Sequence, residues 1–294
     1  MADLGGQRGA LRPSLPVALT LSEVRQESRE MVSLFFARPP AEAAARGLNL
    51  DAFTPGQFFM VWLPRVDEKP YAVSYLDDER LGISVMRRGP FSGRLCDLKP
   101  GAKVGLRGPL GRGFRDVETH AASGRAALIG AGCGVAVLAP LADRLPRAKL
   151  VQGARTADLL VYRERFPGQI LFTDDGSAGR RGVPTDWLRE QVAAGALDVV
   201  YTCGPEVMMT AVADLCRRGG VACQVSLERH MKCGIGVCGQ CDCDGRRVCV
   251  EGPTFDLAEL ATMPSFGRWK RDATGRRVPV APDDACPAAP AGGA

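Results

Sequence analysis

A glycine-rich turn follows a short apolar strand in the stretch Ala126-Ala-Leu-Ile-Gly-Ala-Gly-Cys-Gly-Val135. Glycine accepts positive φ and lets the backbone approach a ligand closely, and the N-terminus of the helix that follows favours phosphate. The spacing is GxGxG rather than the GxGxxG of the usual dinucleotide fingerprint. Taken alone, the stretch is explained equally well by a tight strand–helix turn without any ligand.

Strands and helices alternate downstream of this turn. Each predicted strand is a compact apolar run, and a helical stretch lies between one strand and the next. The predicted strands are 149–152, 169–173 and 197–202, and the predicted helices are 135–142, 184–194 and 205–218. This alternation predicts a parallel, doubly wound α/β sheet that begins after a boundary near 120–125.

Two further turns follow strand ends of this sheet, in Asp174-Asp-Gly-Ser177 and Cys203-Gly-Pro205. Either could be an ordinary turn, but doubly wound sheets bind ligands at the carboxyl ends of their strands. Three such turns at successive strand ends favour a nucleotide site. Its candidate residues are Gly130, Gly132, Gly134, Val135, Asp175, Gly204 and Pro205.

The N-terminal part of the chain has a different pattern. Short segments rich in β-forming residues are divided by turn signals such as Thr54-Pro-Gly56 and Lys99-Pro-Gly101. The segments are 33–38, 57–63, 71–75, 81–86 and 103–107. Short strands at this spacing predict an antiparallel barrel or sandwich.

Five of the eleven cysteines fall between Cys233 and Cys249. Four of them have the spacing C-x4-C-x2-C with a later cysteine, which is the plant-type spacing of a [2Fe–2S] cluster. The predicted thiolate ligands are Cys233, Cys238, Cys241 and Cys249. Glycines between the first three allow backbone N–H groups to approach the sulfur atoms.

The same cysteines could instead form a structural zinc site or a set of buried free thiols. Zinc sites more often show paired C-x2-C knuckles. Cys243 is left out of the ligand set because C-x4-C-x4-C is not a familiar spacing. Cys286 lies in a tail and is expected to be an uninvolved thiol.

Composition excludes several classes of protein. Hydrophobic residues make up 46% of the 294, and no run of 18 apolar residues occurs, which predicts a globular chain without a membrane span. The net charge of +5 is spread along the chain, so nucleic acid is not an expected partner. Met1–Pro13 has no apolar core of a signal peptide, which predicts a cytoplasmic protein, and residues 1–13 and 281–294 are expected to be disordered tails.

Together these residues resemble the ferredoxin–NADP reductase superfamily over residues 14–270. Within it, they are most similar to electron-transfer subunits of NAD-dependent dihydroorotate dehydrogenases. The most specific likeness is Ser226-Leu-Glu-Arg-His-Met-Lys-Cys-Gly-Ile-Gly-Val-Cys-Gly-Gln-Cys241, followed by Arg247-Val-Cys-Val-Glu-Gly-Pro253. The stretches 108–114 and 173–177 also look like parts of this family.

The resemblance implies that FAD binds to the barrel, through the stretch Lys69-Pro70-Tyr71-Ala72-Val73-Ser74. This stretch departs from the family pattern, because Lys69 replaces an arginine and Ala72 a hydroxyl residue. Lysine pairs with a pyrophosphate as a point charge, without the fork of arginine. Further residues implied at the flavin site are Met86, Arg87, Gly89, Phe91 and Ser92.

The resemblance also implies three domains between two tails. They are an FAD-binding β-barrel at 14–120, an NAD-binding α/β domain at 121–227 and a small [2Fe–2S] domain at 228–270. The tails are 1–13 and 271–294. NAD would dock on the glycine turn and on 203–205, with Cys203 near the nicotinamide.

The function implied by the resemblance is electron transfer. FAD and the cluster would carry electrons between NAD and an FMN-containing dehydrogenase subunit, which converts dihydroorotate to orotate, in a hetero-oligomer such as a heterotetramer. Alternatives are the reductase subunit of a cytosolic hydrogenase, a sulfite reductase or a ferredoxin:NADP transhydrogenase, and a zinc-stabilised regulatory subunit without redox activity. Arg155 and Thr156 leave NADP open as the cofactor, although NAD is favoured.

Overall fold

A closed antiparallel barrel forms the N-terminal part of the protein. The computed structural model describes residues 15–121 and 124–281. The barrel strands are β1 (Val17–Ser28), β2 (Met31–Ala37), β3 (Phe58–Leu63), β4 (Asp67–Leu76), β5 (Arg80–Met86) and β6 (Lys103–Leu110), in the order β1-β2-β5-β4-β3-β6. A 3-10 helix (Ala41–Arg46), α1 (Pro90–Cys96) and α2 (Val117–Ala121) connect or follow them.

The barrel closes because its strands place apolar side chains on the inside, where Leu34, Phe36, Phe59, Ile83 and Leu106 are buried together. In β2 the outward residues are buried as well. Strands that are apolar on both faces need cover on both. The outer face of β2 must therefore be covered by another layer of structure.

That layer is a seven-stranded sheet of order β10-β9-β8-β7-β11-β12-β15. Its first six strands along the chain are parallel to one another: β7 (Ala126–Ala131), β8 (Lys149–Ala154), β9 (Ile170–Thr173), β10 (Arg180–Arg181), β11 (Val199–Cys203) and β12 (Ala222–Ser226). The helices are α3 (Gly134–Arg144), α4 (Pro184–Ala193), α5 (Glu206–Gly219) and the 3-10 helix Ala157–Leu159.

An apolar cluster joins the barrel to this sheet. Phe35 and Tyr75 from the barrel pack with Val135 of α3 and with Tyr162, and all four are buried. The Tyr162 hydroxyl also donates to Ser84 Oγ in β5 at 2.6 Å. Because packed interiors resist deformation, this contact fixes the space between the barrel and the strand ends of the sheet.

The cysteine-rich segment leaves the sheet after β12 and returns to it at its edge. Its elements are β13 (Asp242–Cys243), β14 (Arg246–Arg247), α6 (Val248–Glu251), β15 (Thr254–Asp256), α7 (Leu257–Ala261), β16 (Trp269–Arg271) and β17 (Arg277–Pro279). Strand β15 pairs antiparallel with β12, with Ser226 opposite Thr254. The other four strands form two hairpins, β13–β14 and β16–β17.

The predicted architecture of a barrel, a doubly wound sheet and a cysteine-rich unit is confirmed. The predicted strands and helices match the observed ones, with ends displaced by a few residues. Several observed elements were not predicted, namely strands β1, β10 and β12 to β17 and helices α1, α2, α6 and α7. The part of the predicted C-terminal tail that the structure describes contains β17. Cys286 and the segments 1–14 and 282–294 lie outside the described residues.

None of the helices in the two described ranges combines the length and the apolar character that crossing a bilayer requires.

Candidate functional site

Two cavities lie between the barrel and the strand ends of the sheet. The first, here called the strand-end cavity, has a volume of about 460 Å³ and is bordered by the turns after β7, β8, β9 and β11. The second, the barrel-side cavity, has a volume of about 570 Å³. Both are lined by Met86, Arg88, Cys133 and Glu228, so the two cavities meet at these residues.

The barrel-side cavity brings together most of the predicted flavin-binding residues. Eight of them line it: Lys69, Pro70, Tyr71, Ala72, Met86, Gly89, Phe91 and Ser92. The rings of Tyr71 and Phe91 stack, with centroids 6.3 Å apart and an interplanar angle of 25°. Burial raises the pKa of the Tyr71 phenol, so the ring is a neutral apolar wall with one hydroxyl donor.

Three predicted residues are not on that wall. Val73 is buried in the barrel core. Ser74 is also buried inside the barrel, where its Oγ lies 2.7 Å from Ser84 Oγ. Arg87 points away and pairs with Asp97 at 2.5 Å. The next residue, Arg88, lines both cavities instead.

Space for a ligand remains beside the first turn of α1. A Cβ atom added at Gly89 would meet nothing within 4 Å. The Ser92 hydroxyl is engaged locally, since it accepts from Gly89 N at 3.0 Å and from Arg88 N at 2.8 Å. The open, largely apolar cavity with Lys69 at its edge fits an aromatic ring system that carries a phosphate-bearing tail.

The glycines of the turn after β7 have different tasks. Gly132, at φ 55°, lines the strand-end cavity. Gly130 and Gly134 allow close packing instead. A Cβ atom at Gly134 would lie 2.2 Å from the backbone oxygen of Cys203, and one at Gly130 would lie 3.0 Å from the side chains of Leu138 and Val135. The fully buried Val135 fixes α3 against the barrel.

The other predicted strand-end residues divide between the cavities. Gly204 and Pro205 line the strand-end cavity, whereas the buried Cys203 lines the barrel-side one. Asp175 is not on either wall. Its carboxylate accepts from Ser177 N and Ser177 Oγ, at 2.9 and 2.6 Å, and these bonds hold its pKa below the usual range. Asp174 lines the strand-end cavity in its place.

The cysteine loop packs against the barrel. Gly234, Gly236 and Gly239 have φ between 67° and 79°, which only glycine adopts without strain. Arg107 of β6 donates to the backbone oxygen of Cys233 at 2.7 Å and binds Glu68 with two bonds of 2.7 Å. The loop is thereby held beside the barrel-side cavity, which His230 and Met231 also line.

The four predicted ligands form two thiol pairs, Cys233 with Cys238 and Cys241 with Cys249. The bond from Cys249 lowers the pKa of Cys241 to about 6, despite its burial. Burial raises the pKa of Cys233, but N–H donors of the loop outweigh it, and the pKa is about 7. The same contact with Cys241 raises the pKa of Cys249.

This arrangement has the donor set of a two-iron cluster. Among residues 15–121 and 124–281, no group of three or more His, Cys, Asp or Glu side chains is arranged to hold a metal ion, so the assignment rests on the two thiol pairs and their spacing in the sequence. Two adjacent pairs of soft thiolates fit two irons, each with two protein ligands. Cys238 is exposed, while Cys241 and Cys249 are buried.

Cys243 is occupied elsewhere. Its buried sulfur lies 3.5 Å from Nη2 of Arg229. Arg229 in turn binds Glu206, at the start of α5, with two bonds of 2.6 and 2.8 Å. The side chain therefore belongs to the contact between the cysteine segment and the sheet. Sequence reasoning missed this contact, because no pattern pairs residues so far apart.

Glu228 is the acidic residue at the meeting point of the cavities. It is exposed to the cleft, but protein atoms enclose it on its other sides, and this burial raises the pKa of its carboxyl. Cys133 Sγ donates to its Oε1 at 3.5 Å. The pair thus places a titratable carboxyl and a thiol between the two cavities. Neither residue was predicted, although Glu228 lies within the family-like stretch.

Comparison with known proteins gives a consistent family. Residues 228–261 match the iron-sulfur cluster binding domain of dihydroorotate dehydrogenase B. A probable dihydroorotate dehydrogenase B (NAD(+)) electron transfer subunit of Thermoplasma acidophilum is 38% identical over 262 residues, which is 88% of this chain and 97% of the relative. One from Methanothermobacter thermautotrophicus is 44% identical over 241 residues, covering 76% and 86%.

Solved structures with the same architecture include redox enzymes. An NADH-dependent reduced ferredoxin-NADP oxidoreductase, described in connection with flavin-based electron bifurcation, superimposes with a TM-score of 0.68 at 25% identity, covering 82% of this chain and 88% of that one. Phthalate dioxygenase reductase has a TM-score of 0.53 at 18% identity, covering 68% and 64%. The second likeness concerns the fold alone.

Proposed function

This chain belongs to the family of dihydroorotate dehydrogenase B (NAD(+)) electron transfer subunits, and we propose that it carries electrons between NAD and a dihydroorotate-oxidising partner. It is an oxidoreductase subunit that uses FAD, a [2Fe–2S] cluster and NAD. The observation that carries the proposal is the chain of adjoining sites. The strand-end cavity meets the barrel-side cavity, and the barrel-side cavity borders the segment that leads into the cysteine loop.

A bound flavin supplies the chemistry that the protein lacks, because it exchanges electron pairs with nicotinamide and single electrons with an iron–sulfur centre. The chain supplies position. Tyr71 and Phe91 line the barrel-side cavity with stacked aromatic rings, and Lys69 offers a positive charge to phosphate. We propose Pro70, Ala72, Met86, Gly89 and Ser92 as further flavin contacts, with Arg88 taking the part first expected of Arg87.

For NAD, we propose binding across the strand-end cavity. Gly132, Gly204 and Pro205 line it, and Gly130, Gly134 and Val135 act through packing that keeps the turn close to β11. Cys203 lies at the wall of the other cavity, where a nicotinamide that stacks on the flavin would reach. Asp175 contributes by shaping its own turn.

For the cluster, we propose Cys233, Cys238, Cys241 and Cys249 as ligands. The exposed position of Cys238, beside Val237, which is 72% exposed, supports a docking face at this end of the loop. The partner we propose is an FMN-containing catalytic subunit, in a heterotetramer. This chain has no second flavin barrel among its described residues, so it depends on that partner for dihydroorotate oxidation.

The boundaries we propose for the three domains remain 14–120, 121–227 and 228–270. The apolar cores of the barrel and of the sheet support the first division. We also propose a cytoplasmic location. All ten cysteines within the described ranges are free thiols, which fits a reducing compartment.

The test is to purify the chain alone and with its partner. The chain alone is expected to contain FAD, with iron and acid-labile sulfide at about two per chain each. It should pass electrons from NADH to a dye, and it should oxidise dihydroorotate only when the partner is added.

Two results would contradict the proposal. One is zinc without sulfide, which would turn the chain into a colourless regulatory subunit. The other is dye reduction that no dihydroorotate-oxidising partner can couple to dihydroorotate, while a hydrogenase, sulfite reductase or ferredoxin partner can couple to its own substrate.

A further inference from the structure

The end of β8 carries a positive side chain where nicotinamide dinucleotides are discriminated. In doubly wound folds, an acidic residue about 20 residues after the glycine turn binds the ribose 2′-hydroxyl of NAD, whereas an arginine there accommodates the 2′-phosphate of NADP. In this chain the residue after β8 is Arg155, and it lines the strand-end cavity. By this rule alone the site would accept NADP, although the relatives are named for NAD(+).

The barrel supplies the missing acidic group. Glu30, in the turn between β1 and β2, lines the same cavity, and its carboxylate lies 3.7 Å from Nη2 of Arg155. The same carboxylate lies 3.5 Å from Arg88 and 3.4 Å from Arg29. Its side chain is only 16% exposed, so solvent screens these charges weakly.

The backbone holds Glu30 in this place. The N–H of its neighbour Arg29 donates to the backbone oxygen of Asp158 at 2.9 Å, and the Arg29 guanidinium binds the Asp158 carboxylate at 2.6 Å. Asp158 belongs to the 3-10 helix that follows β8. The barrel turn is thus fastened to the loop that carries Arg155.

Carboxylates already engage the arginines around Arg155. Glu30 lies within 3.7 Å of the guanidinium groups of Arg29, Arg88 and Arg155, and Asp158 binds Arg29 as well. The ribose 2′-hydroxyl of NAD can be placed beside these ion pairs without adding charge. A 2′-phosphate would add about two negative charges beside carboxylates that already engage the arginines.

We propose that Glu30, contributed by the barrel, is the residue that selects NAD over NADP by engaging Arg155. The proposal rests on the proposed function, since it assumes that NAD occupies the strand-end cavity. It assigns to the β1–β2 turn a role in reading the adenosine ribose. An arginine at the end of β8 is then compatible with an NAD-linked family.

The experiment measures binding of 5′-ADP and of 2′,5′-ADP to the holoprotein by calorimetry, for the wild type and for Glu30→Gln. The variant keeps the shape of the side chain and removes its charge. The affinity ratio is expected to shift at least about tenfold towards 2′,5′-ADP. A tenfold shift corresponds to about 1.4 kcal/mol of binding free energy. The ratio of kcat/KM for NADPH over NADH should move in the same direction.

Three variants complete the test. Adding Arg155→Leu to Glu30→Gln should reverse the shift, because the freed guanidinium is what binds the phosphate. Glu23→Gln, on the strand β1 that leads into this turn and paired with Arg25, should leave the ratio at its wild-type value. An unchanged ratio in Glu30→Gln, or a shift produced by Asp174→Asn but not by Glu30→Gln, would overturn the proposal. Loss of NADH-to-dye activity in the wild type would instead refute the proposed function, whereas the ADP binding ratio tests the inference without turnover.

Discussion

Arg229 and Glu206 form a two-bonded ion pair in the interior, with N–O distances of 2.6 and 2.8 Å and side chains that are 1% and 8% exposed. Glu206 opens α5 of the sheet, and Arg229 begins the cysteine segment. The backbone N–H of Gly267 also donates to Glu206 Oε1, at 2.7 Å. One carboxylate therefore holds the sheet, the start of the cysteine segment and the region before β16 together.

Breaking this pair on one side is expected to be costly. Glu206→Gln leaves the buried Arg229 guanidinium without its counter-charge, which typically lowers the free energy of unfolding by about 3–5 kcal/mol. The control is Asp214→Asn on the same helix, because Asp214 pairs with Arg217 at 2.6 Å but both are 48% exposed. Exposed pairs contribute less than about 1 kcal/mol. Urea unfolding compares the two variants, and equal losses would contradict the assigned role of burial.

A methyl group at Gly134 is expected to disturb the turn after β7. The Cβ atom would lie 2.2 Å from the oxygen and 2.3 Å from the carbon of the Cys203 carbonyl, and backbone cannot rotate away. Gly134→Ala should therefore cost about 1–3 kcal/mol of stability and raise the KM for NADH. Gly168→Ala is the control, since nothing lies within 4 Å of that Cβ position. A variant with wild-type KM and thermal midpoint would show that the turn adapts freely.

Serine variants of the cysteines are expected to separate ligands from bystanders. Cys249→Ser should lose the two-iron cluster, because a hydroxyl is a poor ligand for a soft iron site, and its pairing with Cys241 is lost. Cys243→Ser should retain the cluster, since its sulfur faces Arg229. Iron and sulfide content and the low-temperature EPR signal of the reduced protein measure this. Both variants should keep FAD. If Cys243→Ser lost the EPR signal of the cluster and Cys249→Ser kept it, Cys243 would be the fourth ligand instead of Cys249.

The carboxyl of Glu228 is expected to make stability depend on pH. Burial is the largest cause that raises the pKa of this carboxyl above the ordinary 4.5, and the charge of Glu206 raises it further. The hydrogen bond from Cys133 and the charges of Arg88 and Lys270 lower the pKa, but they do not outweigh the burial. The folded state therefore prefers the protonated form, and this preference is lost as the pH rises through the raised pKa. The thermal midpoint of Glu228→Gln should therefore rise relative to that of the wild type as the pH increases from about 4 through the raised pKa.

The control for this measurement is Glu42→Gln, on the exposed 3-10 helix of the barrel. The difference between the midpoints of that variant and the wild type should stay level over the same range. A level difference for Glu228→Gln as well would mean that the carboxyl ionises in the fold as easily as it does in water.

Local patterns predicted most of the fold. The apolar strands and the alternation of strand and helix indicated the barrel and the sheet, because both signals reside in neighbouring residues. Strand β15 escaped notice since it has three residues, and its place beside β12 depends on Phe255, which is buried opposite Val225. Such pairing is a tertiary effect, with no period to reveal it.

Two predicted site residues lie one position away from residues that line the strand-end cavity. The strand-end cavity is lined by Arg88 and not Arg87, and by Asp174 and not Asp175. The direction of a side chain at the end of a strand depends on how the chain turns there, and the local sequence pattern does not specify that turn. Glu30 and Arg229 were missed for another reason. Each works through a partner from a different part of the chain, Arg155 and Glu206, and a single sequence carries no signal for such pairs.

The return of the cysteine segment to the sheet bears on how the protein matures and is repaired. Ser226 and Thr254 face each other across β12 and β15, and Leu227 N donates to Pro253 O at 2.9 Å, so residues 227–253 form a loop that is tied at its neck. We expect iron and sulfide to enter or leave such a loop while the sheet stays paired. A cluster destroyed by oxygen should then be rebuilt on the folded subunit, without fresh synthesis of the chain.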